Sequence, residues 1–517
     1  MSGRIAQGLA RLEAGLSSGF GHAGNPMHYL GALATGFLWM TLVTGIYLFV
    51  FYRTSLEGAY LSVEALTREQ WFAGGVMRSV HRYASDAAMV CLLAHALREA
   101  LRGRFRGPRW FSWVSGTPLF WILILFGITG YWMVWDEMGL YAAQASAALL
   151  DALPIFAEPM LASFLTAEAV SSRLFTLIAF IHLVGLPLLI VIAIWLHLMR
   201  VRYPRLNPPR RLWVASLVAL LILSLLLPVT SHGPADLSQV PGPLRLDWFY
   251  LGLLPLAEWT SPSWLWAIGA STTLVVAALP LVPGGINKPP ARVYLPDCSG
   301  CSYCAEDCPY GAIDMVARSD GRNFELEARI DTALCVSCGI CAGSCPSSSP
   351  FRQRDPLTTG IELPDWSMQR LRAELRLAQA SQQCTEVNAP DPVLVIGCDH
   401  GVDLARLPDS GVQRISLPCI GMLPASALDY ALRQHAFRGV LISSCAECDC
   451  YHRLGDRWLV ERIDRDRPPA LRERVERSRI AIHPLKQGQQ RELQQALVEF
   501  RRALERSQDA TDPGARP

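Results

Sequence analysis

The sequence has little net charge and few charged residues. Its 47 basic and 45 acidic side chains leave a formal charge of +2, and only 18% of its 517 residues are charged. That balance gives no electrostatic footprint for a nucleic acid, and no such partner is expected. Cysteine is nearly missing from the first 297 residues: Cys91 stands alone there, and the other fourteen follow. A secreted, disulfide-bonded protein does not segregate its cysteines in this way. The first 28 residues lack an apolar core before a cleavage site, so no signal peptide is expected. The sequence shows no nucleotide-binding glycine loop, flavin fingerprint, or molybdenum or nickel ligand set. What it does have is apolar bulk. Hydrophobic residues make up 51%, which excludes low-complexity disorder. The mean hydropathy of +0.23 fits a chain that is part membrane and part soluble. The length suits about three domains.

Six apolar segments are long enough to cross a bilayer: 30–51, 76–101, 113–135, 173–199, 212–230 and 264–282. Their loops differ in charge. Loop 98–110 carries Arg98, Arg102, Arg104, Arg106 and Arg109 against Glu99, and loop 199–212 carries five arginines and no acid. Loops 136–173 and 231–263 are mainly acidic. By the positive-inside rule, the arginine-rich loops are cytoplasmic. Six spans then put both termini in the cytoplasm, with the cysteine-rich half in a reducing compartment. The stretch 280–296, rich in Pro and Gly, reads as a linker.

Four histidines fall inside spans, where an ionisable side chain is costly and usually functional. His81 and His95 are 14 apart in the second span, and His182 and His197 are 15 apart in the fourth. Either step is close to four helical turns, so each pair shares a face about 21–23 Å long. The two spans run the same way, so His81 can meet His182 and His95 can meet His197. Two stacked b-type haems, each with two histidine ligands, are expected. Gly31 and Gly45, and Gly116 and Gly130, repeat the spacing of 14 on the first and third spans. Glycine lets a flat macrocycle approach a helix. Ordinary helix packing also uses glycine, but four matched spacings on four successive spans argue against coincidence. Arg78, Arg82 and Arg98 flank the histidines and are candidate partners for haem propionates; interface anchoring is the competing role.

On these residues, Met27–Arg202 resembles the four-helix haem core of cytochrome b from quinol–cytochrome oxidoreductases, closest to the photosynthetic bf branch. Arg78-Ser-Val-His81-Arg82, Trp113-Val-Ser-Gly116, Thr129-Gly130-Tyr131 and Trp135-Asp136 carry the resemblance. It implies that His81/His182 bind the outer haem and His95/His197 the inner one. It also implies membrane lipid around the helices, quinone as substrate and the option of a homodimer. Tyr29 stands where the bf branch has a cysteine for a further covalent haem, so none is expected. The family's outer quinol motif, Pro-Glu-Trp-Tyr, reads Leu246-Asp247-Trp248-Phe249 here. Asp247 keeps a carboxylate suited to quinone proton transfer; a solvated loop acid is the alternative.

Cys298-x2-Cys301-x2-Cys304-x3-Cys308-Pro309 is repeated as Cys335-x2-Cys338-x2-Cys341-x3-Cys345-Pro346. This is the two-cluster bacterial ferredoxin pattern, in which the fourth thiolate crosses to the other cluster. One 4Fe–4S cluster should take Cys298, Cys301, Cys304 and Cys345. The other should take Cys335, Cys338, Cys341 and Cys308. Paired CxxC units also occur in structural zinc sites, but not with this spacing given twice.

Of the remaining cysteines, Cys398, Cys419, Cys445, Cys448 and Cys450 follow strand-like runs, at the edge of an α/β sheet where ligands bind. Four or five such thiols can hold an iron–sulfur centre; buried structural cysteines or a zinc site are alternatives. Residues 391–485 resemble the delta subunit of methyl-viologen-reducing hydrogenase, a 2Fe–2S protein. Cys398, Cys419, Cys445 and Cys450 match its cysteines. Gly401 stands in place of the second cysteine of a family CxxC, and Cys448 is additional. Cys91 and Cys384 fit no motif.

The expected fold is therefore multidomain. It has an all-α six-span haem bundle (a dihaem core over 1–210 and two further helices over 211–285), an α+β ferredoxin (291–350), a connector (351–390), an α/β iron–sulfur domain (391–485) and a polar tail (486–517). The expected protein is a quinone-linked oxidoreductase subunit of a bacterial inner membrane. Electrons would pass from a cytoplasmic dehydrogenase or flavoprotein, which carries the substrate-oxidising site, through one 2Fe–2S and two 4Fe–4S clusters to two b haems and quinone. The reverse direction, quinol reducing a cytoplasmic acceptor, uses the same wire. A non-catalytic sensor or anchor would need only the soluble clusters.

Overall fold

The computed structural model describes residues 3–509 apart from 22–23, 156–157, 167–168, 239–242, 283–287, 349–350, 352–353, 384–391, 408–410, 434–436, 446–449 and 486. Cys384 and Cys448 lie outside the described residues. The chain divides into two compact units. One comprises Met1–Met199 and Pro204–Gly284; the other comprises Arg200–Tyr203 and Gly285–Pro517.

The first unit is helical: α1 (Gly3–Phe20), α2 (Leu30–Phe51), α3 (Gly58–Arg68), α4 (Val76–Leu101), α5 (Trp110–Val134), α6 (Glu137–Asp151), α7 (Met160–Phe164), α8 (Ser172–Phe180), α9 (Leu186–Leu198), α10 (Arg210–Leu226), α11 (Leu253–Trp259) and α12 (Pro262–Ala278). Among the described residues, four helices are long and apolar enough to cross a membrane: Leu30–Phe51, Trp110–Val134, Ser172–Leu198 and Pro262–Leu281. Of the other two expected spans, α4 carries Arg78, Arg82, Asp86, Arg98 and Glu99, and α10 has only 17 residues. Leu119, Ile122, Leu123, Trp132, Leu174 and Phe175 form the core around α5. The turn from α5 to α6 is built locally. Trp135 takes a left-handed backbone (φ 55°), and Asp136 caps α6 by accepting the Gly139 N–H at 2.8 Å.

A π-turn over Ile181–Gly185 separates α8 from α9 and contains His182. It explains the unequal histidine spacings. Fourteen α-helical residues end about 40° short of four turns, and fifteen overshoot by about 60°. A π-turn absorbs one extra residue, so fifteen residues between His182 and His197 keep the face that fourteen keep between His81 and His95.

In the second unit, β1 (Arg292–Val293) pairs with β4 (Ile361–Glu362), and β2 (Ile313–Ala317) pairs with β3 (Leu326–Ile330), both antiparallel. The short helices α13 (Tyr303–Asp307) and α14 (Ile340–Gly343) each follow a cysteine loop, and α15 (Met368–Gln383) follows β4. A parallel sheet of order β6-β5-β7-β8 comes next, with β5 (Val393–Cys398), β6 (Val412–Leu417), β7 (Gly439–Cys445) and β8 (Ile480–Leu485). Its helices are α16 (Ala425–Arg433), α17 (Gly455–Ile463) and α18 (Gln490–Asp509). One continuous core runs from the ferredoxin cysteines through Met368, Leu371 and Leu375 of the connector into β5 and β7. The tail differs from the expected polar end. Leu493, Leu497, Phe500 and Leu504 of α18 are buried against Val393, Val395 and Leu441 of the sheet. Their spacing is a helical stripe inside an otherwise polar segment.

Candidate metal centres

Each of the four glycines faces one histidine. A Cβ on Gly31 would lie 3.7 Å from His95 Cε1, and one on Gly45 would lie 3.0 Å from His81 Cε1. On the other helix pair, Gly116 would approach His197 Cε1 at 3.1 Å and Gly130 would approach His182 Cε1 at 3.4 Å. The glycines thus make room for the imidazoles themselves. The His81 and His182 ring centres are 6.5 Å apart. Two imidazoles on opposite faces of one metal, each bonded at about 2 Å, place their ring centres about 6 Å apart. The spacing of the pair would therefore suit two ligands of one metal.

Hydrogen bonds orient these rings. His81 Nδ1 is 2.9 Å from the Thr41 carbonyl oxygen and 3.1 Å from Thr44 Oγ1. His182 Nδ1 is 2.8 Å from Thr129 Oγ1, which donates its own proton to the Leu125 carbonyl at 2.7 Å. With Nδ1 protonated and engaged, Nε2 keeps the lone pair a metal requires. His197 packs against Ser112, whose backbone bonds its ring and whose Oγ donates to the His197 carbonyl at 3.2 Å. Thr129 lies in one of the motifs that carry the resemblance; Thr41 and Thr44 gave no sequence signal, because Thr on a membrane helix commonly bonds its own backbone.

The arginines expected at propionates contact protein groups. Arg78 donates to Thr67 Oγ1 (2.6 Å) and Ser231 Oγ (2.9 Å), and Arg98 donates to Glu13 (2.9 Å). Arg82 donates to Asp247 Oδ2 at 2.6 Å, and the Tyr131 hydroxyl donates to the same oxygen at 2.9 Å. Arg82 also pairs with Asp86 at 3.3 Å. Asp247 is thus joined to Arg82, four residues before Asp86, in a cluster that spacing alone does not reveal.

In the ferredoxin region both cysteine loops bend at equivalent positions. The residues before and after the middle cysteine are left-handed: Gly300 and Ser302 around Cys301, Ser337 and Gly339 around Cys338. Cys308, Cys335, Cys338 and Cys341 line one cavity, closed by apolar residues including Ile313, Ile330 and Leu363. Burial pushes the Cys304 thiol up to about 12, with further upward contributions from Cys345, Cys301 and Cys298. The structure thus gathers Cys308 with Cys335, Cys338 and Cys341 around one cavity, and places Cys345, Cys301 and Cys298 within electrostatic reach of Cys304. The Ala312 N–H donates to Cys308 Sγ at 3.3 Å and the Ala291 N–H donates to Cys335 Sγ at 3.4 Å, contacts that stabilise thiolate charge.

Parallel strands place the remaining cysteines at one sheet edge. Cys398 ends β5, Cys445 ends β7 and Cys419 follows β6; with Cys450 all are buried. Cys398 Sγ and Cys445 Sγ are 3.4 Å apart. Hydrogen bonding to Cys450, followed by burial, raises the Cys419 thiol well above its ordinary value. A Cβ on Gly401 would lie 3.5 Å from Cys398 Sγ, so the replaced family cysteine would also face this quartet. Among the described residues no three His, Cys, Asp or Glu side chains are grouped for a single metal ion.

The quartet also adjoins the ferredoxin. Burial pushes the Cys338 thiol well up, and the next contribution comes from Cys419, ahead of Cys308 and Cys335. Glycines permit this approach. A Cβ on Gly343 would meet the Gly421 carbonyl oxygen, one on Gly421 would lie 2.7 Å from Gly455 Cα, and one on Gly455 would meet Cys419 Sγ.

Paired membrane histidines and three thiol sets define a membrane-bound electron-transfer protein. Comparison with known families gives the same result region by region. Residues 22–205 match the family Cytochrome b/b6/petB. Residues 297–349 match the 4Fe-4S dicluster domain, and residues 397–506 match the methyl-viologen-reducing hydrogenase delta subunit. The last match extends into α18, in keeping with its packed position. A solved structure described as a hyperthermophilic respiratory Complex III is 17% identical, with a TM-score of 0.40, over 50% of this chain and 75% of that one. The cytochrome b match implies haem, and the dicluster match implies 4Fe–4S clusters.

Proposed function

We propose that the chain is the membrane subunit of a quinone-linked oxidoreductase, joining a cytoplasmic dehydrogenase or flavoprotein to the quinone pool of a bacterial inner membrane. The observation that carries this reading is the facing of His81 and His182 at 6.5 Å on helices of an apolar bundle. His81/His182 and His95/His197 hold two b-type haems. Cys298, Cys301, Cys304 and Cys345 hold one 4Fe–4S cluster, and Cys335, Cys338, Cys341 and Cys308 hold the other. Cys398, Cys419, Cys445 and Cys450 hold a 2Fe–2S cluster. When bound, these groups supply one-electron carriers. The thiol sites share one core, which keeps their spacing fixed as charge moves.

On this reading α4 and α10 also cross the membrane, giving six spans with both termini in the cytoplasm. Arg78, Arg82 and Arg98 lie at the haem edges. Asp247, held by Arg82 and Tyr131, takes or gives the proton that accompanies quinone reduction. The test is the purified full chain reduced with dithionite. A b-type haem band that a quinone analogue reoxidises supports the reading, with slower reoxidation in Asp247→Asn. Absence of the band refutes it.

A further inference from the structure

Arg462, on α17, is fully buried. A buried guanidinium is costly unless its donors are satisfied and its charge is matched. Its partners form a definite pattern. It donates to the carboxylate of Asp307, to Ser344 Oγ at 2.6 Å and to the Gly421 carbonyl oxygen at 3.0 Å. Asp307 precedes Cys308, Ser344 precedes Cys345, and Gly421 is two residues after Cys419. The Gly421 N–H itself bonds to Cys419. One cation thus touches the segments that present a ligand of each of the three clusters.

The surroundings hold this charge in place. Asp307 is 1% exposed, and its second oxygen accepts from Arg467 at 2.6 Å. Ser344 Oγ also donates to Asp307 at 2.6 Å, and the Trp458 indole N–H donates to the Asp307 carbonyl at 3.1 Å. Arg467 is in turn bonded to Glu461 at 2.7 Å, at the half-buried rim. The Arg462 Nε–H has no acceptor among the described residues.

We infer that Arg462 is a positioning residue that sets the reduction potentials of the three iron–sulfur centres together, with Asp307 as its opposing charge. The inference rests on the ligand sets proposed above. Reduction adds an electron to a cluster, so a fixed cation in a low-dielectric interior favours the reduced state and a fixed anion disfavours it. Arg462 therefore raises the potentials, and Asp307 lowers them. Because the same guanidinium reaches all three ligand segments, a change in its charge shifts the centres as a group.

The test is an EPR-monitored redox titration of the full chain in detergent, comparing wild type with Arg462→Gln, Arg462→Lys and Asp307→Asn. The expected result is lower midpoint potentials in Arg462→Gln, near-wild-type values in Arg462→Lys, and higher values in Asp307→Asn. Opposite shifts from the two members of one ion pair are an electrostatic signature that loosened packing does not produce. Should Arg462→Gln fail to assemble its clusters, the other two variants decide. Unchanged or lowered potentials in Asp307→Asn overturn the inference, as do equal shifts in Arg462→Gln and Arg462→Lys. Wild-type protein without three iron–sulfur signals refutes the ligand sets instead.

Discussion

Replacing each of the four membrane glycines by alanine should give a graded series. In a helix, Gly→Ala is intrinsically stabilising by about 1 kcal/mol. Opposing it is the contact each new Cβ makes with the facing imidazole. At Gly31 the nearest His95 atom is 3.7 Å away, an ordinary contact, so Gly31→Ala should be neutral or slightly stabilising. At Gly45 the distance to His81 is 3.0 Å, about 0.5 Å inside the carbon–carbon optimum. The ring cannot swing aside freely, because its Nδ1 is tied to Thr41 and Thr44. Overpacking of this kind costs about 1–3 kcal/mol, or about one to two orders of magnitude in haem affinity. Gly116→Ala makes a similar approach, 3.1 Å, to a His197 held by the Ser112 backbone, so a comparable loss is expected. Gly130→Ala, at 3.4 Å, should be milder. The assay is haem per chain by pyridine haemochrome, with the reduced optical band reporting which haem is lost. Haem loss in Gly31→Ala with full retention in Gly45→Ala would refute the reasoning.

On the proposed ligand sets, Cys345→Ser should remove the EPR signal of the cluster assigned to Cys298, Cys301 and Cys304, and Cys308→Ser should remove the other; the reverse outcome would overturn the crossed ligation. Phe500→Ala empties a buried site under the parallel sheet and should cost about 3–5 kcal/mol, read as an earlier thermal loss of cluster absorption; an unchanged midpoint would mean α18 is not packed there. Burial raises the Glu461 carboxyl, but hydrogen bonds from Arg467 and Arg457 outweigh it and hold the group below its ordinary value. A lowered acid stabilises the fold above its unfolded pKa, about 4.3, and loses that contribution as pH falls through the folded value. Glu461→Gln should therefore flatten the acid limb of the stability curve by under about 1 kcal/mol, since the pair is partly solvated; a steeper acid limb would contradict the sign.

The grouping of the ferredoxin cysteines was legible because one short spacing is given twice, and the structure places Cys308, Cys335, Cys338 and Cys341 around one cavity. The shared faces of the histidines and of the glycines were legible because a helix converts a step of fourteen residues into one face; that each glycine faces an imidazole was not. The π-turn at His182 was not, because nothing in Ile181-His-Leu-Val-Gly185 distinguishes it from α-helix; only the extra residue in the spacing hints at it. Arg462 was not legible either. It sits in a run with Glu461, Asp464 and Arg465 that reads as a solvated helix end, and its partners are 41 to 155 residues away in sequence. The approach of Cys419 to Cys338 depends on Gly343, Gly421 and Gly455 meeting across three elements, a tertiary coincidence with no local pattern. The α18 stripe was present in the sequence, but its polar flanks masked it.

The central claim is that one chain carries electrons between thiol-held clusters and membrane haem in contact with quinone. The most direct measurement is stopped-flow reduction of the full chain in vesicles by reduced methyl viologen, followed optically, with a quinone analogue then added. The account predicts that cluster bleaching precedes growth of the b-haem band, that quinone reverses the band, and that Cys419→Ser slows haem reduction. Haem reduction that is indifferent to Cys419→Ser, or a haem band that quinone leaves unchanged, would contradict it.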